Sequence, residues 1–235
     1  MKTLGIFAKQ PEPGHVKTRL AKAIGDAAAA KLADAFLKDT TQRFASIVDR
    51  QVLAYTPAHT EAQRYFRSLA PSAGELWPQP AGDLGSRLAA FFETACSAAQ
   101  FAAVIGADTP TLPVEFIAEA FERLSSCDCV IGPSTDGGYY LLALRQATPS
   151  LFENVDWGTE HVLQQTMERA SDAQLTVHHL PVWSDVDTID DLRRLRNELA
   201  SATDDPANAT PRFTIEAIRA TQDVINRSLT HSEPD

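Results

Sequence analysis

Continuous apolar runs and apolar stripes alternate along this chain. Residues 3–8 (TLGIFA) are apolar on both faces, the pattern of a strand covered on both sides of a sheet. Leu32, Phe36, Thr40, Phe44 and Val48 then recur at every fourth position and predict a helix over 26–48. A strand at 51–56 (QVLAYT), a polar helix at 58–69 and a strand at 75–79 (ELWPQ) follow, then a helix whose stripe is Leu84, Leu88, Phe91, Phe92 and Ala95. The run 101–107 (FAAVIGA) is the most strand-like in the chain, and Phe116, Ile117, Ala120, Phe121 and Leu124 mark the helix after it. CDCVIGPS and YYLLAL supply two more strands, and helices near 159–171 and 188–200 flank a last one at 175–180.

This order predicts an α/β fold: a mostly parallel sheet with right-handed crossovers, helices on both faces, and antiparallel additions in the second half. In such sheets ligands bind beyond the carboxyl ends of the strands, so the informative residues should stand just after each strand. Residues 201–211 (SATDDPANATP) read as a polar linker, and Phe213, Ile215, Ile218, Val224 and Ile225 as an amphipathic helix beyond it. The predicted organisation is one domain over 1–202 and a tail over 203–235 that docks on the body or on a second copy of the chain.

Composition narrows the picture. With 235 residues, 44% of them hydrophobic, the chain has room for one large core. No apolar run approaches the ~20 residues that span a bilayer, TLGIFA is too short for a signal-peptide core, and three cysteines suggest neither a disulfide framework nor a zinc site. The reading is a cytoplasmic protein without a membrane partner. A net charge of -10 argues against nucleic acid as a partner over a broad surface. The first 22 residues reverse that sign, with Lys2, Lys9, Lys17, Arg19 and Lys22 against Glu12, and so point to a small anionic ligand held at one place.

The loops after the strands carry the candidate chemistry. In KQPEPGHVKTRL, Pro11, Pro13 and Gly14 bend the chain so that backbone can approach a ligand, while Lys17 and Arg19 lead a helix, a pattern that suits a nucleotide's phosphates or else a plain surface loop with solvated lysines; the spacing is not that of a Walker A loop. In PAGDLGSRL, Asp83 reads as a helix cap, or the loop passes a base or ribose with Gly82 and Gly85 leaving room and Arg87 meeting an anion. Asp108 in GADTPTLP ends a buried strand, where a carboxylate is costly unless it caps or ligates. It suits Mg²⁺ or Mn²⁺, which take one or two carboxylates and bridge to phosphates; capping of the next helix is the other reading. In PSTDGGYYLLAL, Asp136, Gly137 and Gly138 read as a hairpin turn and, with Tyr139, as a binding loop. In SDVDTIDDL, Thr188 and Asp191 form a capping box, and Asp187 is either a helix-dipole partner or a second metal carboxylate.

Taken together, KQPEPGHVKTRL, GDLGSRL, GADTPTLP, STDGGYYLLAL, DWGTEHVL and DVDTIDDL resemble, over roughly residues 3–200, a family of small bacterial glycosyltransferase-like proteins. That family belongs to the nucleotide-diphospho-sugar transferase superfamily, is associated with radical-SAM and arsenosugar gene neighbourhoods, and is related to phospholactate guanylyltransferases. The resemblance implies a GT-A type, Rossmann-like three-layer sandwich. It places Lys9, Gly14, Lys17, Arg19, Gly82, Gly85 and Arg87 on the nucleotide, and Asp108 and Asp187 on Mg²⁺ or Mn²⁺. It places Asp136, Gly137, Gly138, Tyr139, Trp157 and Thr159 on the acceptor side. The chain reads Gly106-Ala107-Asp108 where many glycosyltransferases of this fold have Asp-x-Asp, and Gly158 where related members often carry Ser.

Three functions fit. The first is metal-dependent sugar transfer from a nucleotide diphosphate donor to a small-molecule acceptor. The second is nucleotidyl transfer, condensing a nucleoside triphosphate with a phosphorylated small molecule, which the dense cationic loop and the missing Asp-x-Asp favour. The third is nucleotide binding without turnover. Asp136 and Asp185 are candidates for a general base in either transfer, but geometry is needed for that role and no base is assigned.

Overall fold

The computed structural model describes residues 1–69, 74–201 and 210–222. Seven strands form one sheet: β1 (Lys2–Lys9), β2 (Arg50–Thr56), β3 (Gly74–Pro78), β4 (Phe101–Gly106), β5 (Cys129–Pro133), β6 (Tyr139–Leu144) and β7 (Val177–His179). Their spatial order is β3-β2-β1-β4-β6-β5-β7. Neighbours are parallel except for β6, which runs antiparallel to both β4 and β5. The chain therefore builds outward from β1 to β3, then returns to place β4 on the other side of β1. That reversal opens a crevice beyond the carboxyl ends of β1 and β4.

The helices are α1 (Thr18–Ile24), α2 (Asp26–Arg43), α3 (Thr60–Leu69), α4 (Leu84–Ala98), α5 (Val114–Arg123), α6 (Val162–Asp172), α7 (Ile189–Ser201) and α8 (Arg212–Ala220). Strand alternation sorts them into two outer layers. Leu4, Ile6, Leu53 and Tyr55 face a cluster with Leu37, Phe66, Ile117 and Phe121 from α2, α3 and α5. On the other face, Val52, Ala54 and Val104 pack with Leu88, Phe91 and Phe92 of α4, with Phe152, and with Ala170 of α6. The three-layer α/β architecture implied by the resemblance is the one observed.

Helix α2 ends at Arg43, not at 48: Phe44 is wholly buried, and Ile47 N–H closes a turn on its carbonyl, so the last apolar residues of the predicted stripe pack from a turn. A third cluster joins Leu20 and Ile24 of α1, Phe36 of α2, Val186, Leu192 and Leu195 around α7, and Ile218 of α8. The buried carboxylate of Asp39 caps α8 by accepting from the backbone N–H of Phe213 and Thr214 at 3.2 and 2.7 Å. The apolar face of α8 expected to dock is thus covered by α1, α2 and α7 of its own chain. Residues 203–209 and 223–235 of the expected tail, Val224 and Ile225 among them, lie outside the described residues. Among the described residues no helix is long and apolar enough to cross a membrane.

Candidate active site

Two chain segments meet at the crevice. Asp108 stands two residues beyond the end of β4, and its carbonyl accepts from Val186 N–H at 3.2 Å, which ties the strand exit to the segment that enters α7. Asp191 Oδ2 accepts from the backbone N–H groups of Asp187 and Thr188 and from the Thr188 hydroxyl, so the predicted capping box is formed. That cap satisfies the helix start without the Asp187 side chain, which turns into the crevice instead. Nor does Asp108 cap α5, whose N-cap position is Pro113. Both carboxylates are left for other partners.

Those partners converge on Lys17. Its Nζ lies 3.0 Å from Asp108 Oδ1 and 2.7 Å from Asp187 Oδ1, and its side chain is only 4% exposed against 47% and 35% for the two aspartates. The backbone of Lys17 is left-handed, φ 48° and ψ 43°, an uncommon state for a residue with a Cβ that the two ion pairs help to hold. Burial alone would pull its ammonium pKa down; the charges of Asp108 and Asp187 and their hydrogen bonds outweigh that and leave it above its ordinary value. The expected partner of Lys17 was a phosphate. In this structure it holds the two carboxylates expected to bind metal.

A cavity of about 770 Å³ opens from this point. Of the residues expected on the nucleotide, Arg19 lines it. Asp108 and Asp187 line it, and so do Asp136, Gly138, Tyr139, Trp157 and Thr159, the residues expected on the acceptor side except Gly137. Lys9 and Lys17 line a smaller adjoining space of about 210 Å³ with His15, which Asp108 and Asp187 also reach. The cationic loop is therefore divided between two compartments that share the carboxylate pair. Helix α1 behind it has seven residues, so its N-terminal amides add little.

Five expected site residues line neither space. Gly14, with φ 78°, bends the loop above. Gly82 precedes Asp83, which caps α4 by accepting from Ser86 N–H and its hydroxyl. Arg87 Nη1 donates to the buried amide of Gln79 at Oε1, 3.3 Å away. Gly85 leaves room, but for Trp157 and not for a base or ribose: a Cβ there would lie about 2.5 Å from the indole Nε1. Gly137, with φ 87°, lies against the backbone of Glu160, where any side chain would collide, and its carbonyl accepts from Leu163 N–H at 2.9 Å. It is a joint between two loops, and the residues beside it face the cavity.

The structure adds residues that sequence reading left unassigned. Asp185 lines the cavity two positions before Asp187, and burial pushes its carboxyl up to about 6, with Asp187, Asp136 and Asp108 adding to the rise and Lys17 opposing it. Glu160 and Thr109 also line the cavity; Thr109 is 3% exposed and its hydroxyl makes no hydrogen bond among the described residues. Asp185 had a signal, a carboxylate after Trp183 and Ser184 in a loop tied to β5. Thr109 had none, because a threonine after Asp108 reads equally well as a turn.

The carboxylate pair fits a divalent cation in donor type. Two oxygens from two segments aim at one point, and among the described residues no group of three or more His, Cys, Asp or Glu could add a protein cage. Mg²⁺ and Mn²⁺ take such pairs when phosphate oxygens and water complete the shell. The point itself is held by Lys17, so the fit requires that its ammonium move.

Comparisons with known proteins agree with the fold. A family model described as "Uncharacterized protein conserved in bacteria (DUF2064)" matches residues 40–159, about half of the chain. A protein of Desulfovibrio desulfuricans G20, provisionally described as a nucleotide-diphospho-sugar transferase, is 31% identical over 97% of both chains, with a TM-score of 0.86. A nucleotidyl transferase of Methanothermobacter shares the fold at 13% identity and a TM-score of 0.57, covering 84% of this chain and 97% of the other. A cytidylyltransferase of Leptospira borgpetersenii does so at 14% and 0.53, covering 95% and 96%. A comparison with curated proteins finds no match.

Proposed function

This chain belongs to the DUF2064 family of bacterial proteins, and on that premise we propose that it is a metal-dependent, nucleotide-utilising transferase whose preferred reaction is transfer of a sugar from a nucleotide diphosphate donor. The observation that carries the reading is the convergence of Asp108 and Asp187 on one point at the sheet's reversal, with Lys9, Lys17 and Arg19 around it. The description of the Desulfovibrio relative supports it.

A divalent cation bound by Asp108 and Asp187 would supply charge neutralisation to the donor's diphosphate. Arg19 and Lys9 hold the phosphate oxygens from two sides and stabilise the negative charge that grows on the leaving diphosphate. The donor's anomeric carbon then faces the wall made by Asp136, Tyr139 and Trp157. An acceptor hydroxyl forms the new C–O bond as the bond to the diphosphate breaks, and its proton passes to a carboxylate of that wall. Tyr139 and Trp157 add aromatic surface to the lining, and Asp136, Glu160 and Asp185 supply carboxylates that can accept hydrogen bonds from a sugar's hydroxyls.

This wall also separates the two transfer reactions. Nucleotidyl transfer to a phosphorylated acceptor would bring an anion against Asp136, Glu160 and Asp185, and among the described lining residues Arg19 is the one lysine or arginine of the large cavity. A neutral polyhydroxyl group suits those carboxylates better. The cationic loop, dense enough for three phosphates, is the feature that favours the nucleotidyl reading. Thermal-shift measurements with nucleoside triphosphates and nucleotide sugars, with and without Mn²⁺, test the proposal; a ligand at 100 times its dissociation constant stabilises by about 2.7 kcal/mol. Metal-dependent shifts with nucleotide sugars and release of nucleoside diphosphate support sugar transfer. Pyrophosphate release from a triphosphate would replace it with nucleotidyl transfer, and binding without either product would leave a regulator.

A further inference from the structure

Lys17 stands where the metal reading needs an ion. Its ammonium bridges Asp108 and Asp187, which are far apart in sequence, and is itself almost wholly buried while both carboxylates remain open to the cavity. A divalent cation drawn to the same two oxygens would meet a fixed positive charge at contact distance, and the repulsion in a half-buried site is large. Beside the ammonium lies the second compartment, lined by Lys9, His15 and Val16 and bordered by the same two aspartates, with space of about 210 Å³ into which the side chain can shift.

We propose that Lys17 is an exchangeable counterion: it holds Asp108 and Asp187 in the free protein, excludes divalent cations from them, and transfers to the nucleotide's phosphates when metal and nucleotide enter together. This rests on the metal-dependent reading above and adds an order of binding to it. Charge balance gives the reason. In the free protein one cation partly offsets two carboxylates. With metal–nucleotide bound, the divalent ion matches the pair, and the ammonium is matched by a phosphate on the other side. Neither half of the exchange is favourable alone: metal without phosphate leaves Lys17 displaced and unpaired, and phosphate without metal leaves two carboxylates facing an anion. Arg19, exposed and lining the large cavity, holds phosphates without passing through such an exchange.

The discriminating variant is Lys17→Met, which keeps the unbranched stem of the side chain and removes its charged end. Mn²⁺ binding to the full chain is read by electron paramagnetic resonance of the free ion, first with Mn²⁺ alone and then with ADP, CDP, GDP and UDP in turn. Mn²⁺ alone should bind Lys17→Met at least about tenfold tighter than the unmodified chain, because a charge-assisted contact that opposed it is gone. Adding Asp187→Asn should abolish the gain, and Lys17→Arg, which retains the cation, should stay at the unmodified level. With nucleotide the sign should reverse, Lys17→Met binding the metal complex more weakly. Lys17→Gln repeats the measurement with a polar side chain should the methionine disturb the loop. If Mn²⁺ alone binds Lys17→Met no tighter while the unmodified chain binds Mn²⁺ with a nucleotide, the exchange is wrong and the metal-dependent reading stands. If Mn²⁺ binds no form with any nucleotide, both fall.

Discussion

The indole of Trp157 lies directly in front of Gly85, so that helix α4 and the 157–160 loop are in contact only because residue 85 has no side chain. Gly85→Ala should therefore push Trp157 toward the cavity and lower stability by roughly 1–3 kcal/mol, the range for overpacking a filled site. Urea unfolding gives the stability, and a changed ligand-induced quenching of tryptophan emission would report the displaced ring. An alanine variant with unchanged stability and emission would show that the contact gives way freely.

Asp108→Ala should remove metal-dependent nucleotide binding while keeping the fold, because the side chain is half exposed and its carbonyl, which bonds Val186, is retained. Titration calorimetry with and without Mn²⁺ measures this. Mn²⁺-dependent affinity equal to that of the unmodified chain would remove Asp108 from the metal.

Arg19→Ala should weaken nucleotide binding by about 1.5–3 kcal/mol, the range for a hydrogen bond to a charged group, with losses that grow from nucleoside to diphosphate. Lys9→Ala should act in the same direction from the smaller compartment. Equal losses for a nucleoside and its diphosphate would place neither residue on phosphate.

Asp185 gives a pH test. Burial raises its folded pKa from the ordinary 3.8 to about 6, so the folded state holds a proton that the unfolded chain has released. Its contribution to stability is present below about pH 4 and is lost as pH rises to about 6. Asp185→Asn should flatten that part of the metal-free melting profile and melt a few degrees higher above pH 6. Parallel profiles for the two proteins would contradict the assignment.

Asp39→Ala should cost about 0.5–2 kcal/mol, as expected of a lost helix cap, and truncation after Ser201 should cost more by removing Ile218 from its cluster. That cluster also contains Leu20 and Val186, next to Arg19 and Asp187, so truncation should weaken nucleotide binding besides lowering Tm. Differential scanning calorimetry and titration calorimetry separate the two effects.

The strands were legible because buried parallel strands are apolar on both faces and announce themselves locally. Asp108 was legible for the same reason, as a charge placed where such a run ends. What sequence could not supply was the partner. Gly85 and Trp157, Asp39 and Thr214, and Lys17 and Asp187 each meet through the sheet's order, and no local pattern encodes that order. Lys17 in particular reads as a phosphate ligand from its loop, and only the return of α7 to the crevice shows the carboxylates that it holds.

The antiparallel strand β6 divides the crevice by its manner of construction. The loop after β1 joins a parallel strand to a helix, and altering such a connection disturbs a crossover and the packing beneath it. Asp136 sits instead on the tip of the β5–β6 hairpin, whose two strands pair locally, and Gly137 fastens that tip to the 160–163 segment. A hairpin tip can lengthen or change sequence without shifting strand register elsewhere. Diversification among relatives should accordingly concentrate at 134–136 and 159–160, the positions of these two loops that neither the Gly137 joint nor the Gly85–Trp157 contact holds, while the strand-to-helix connections change less.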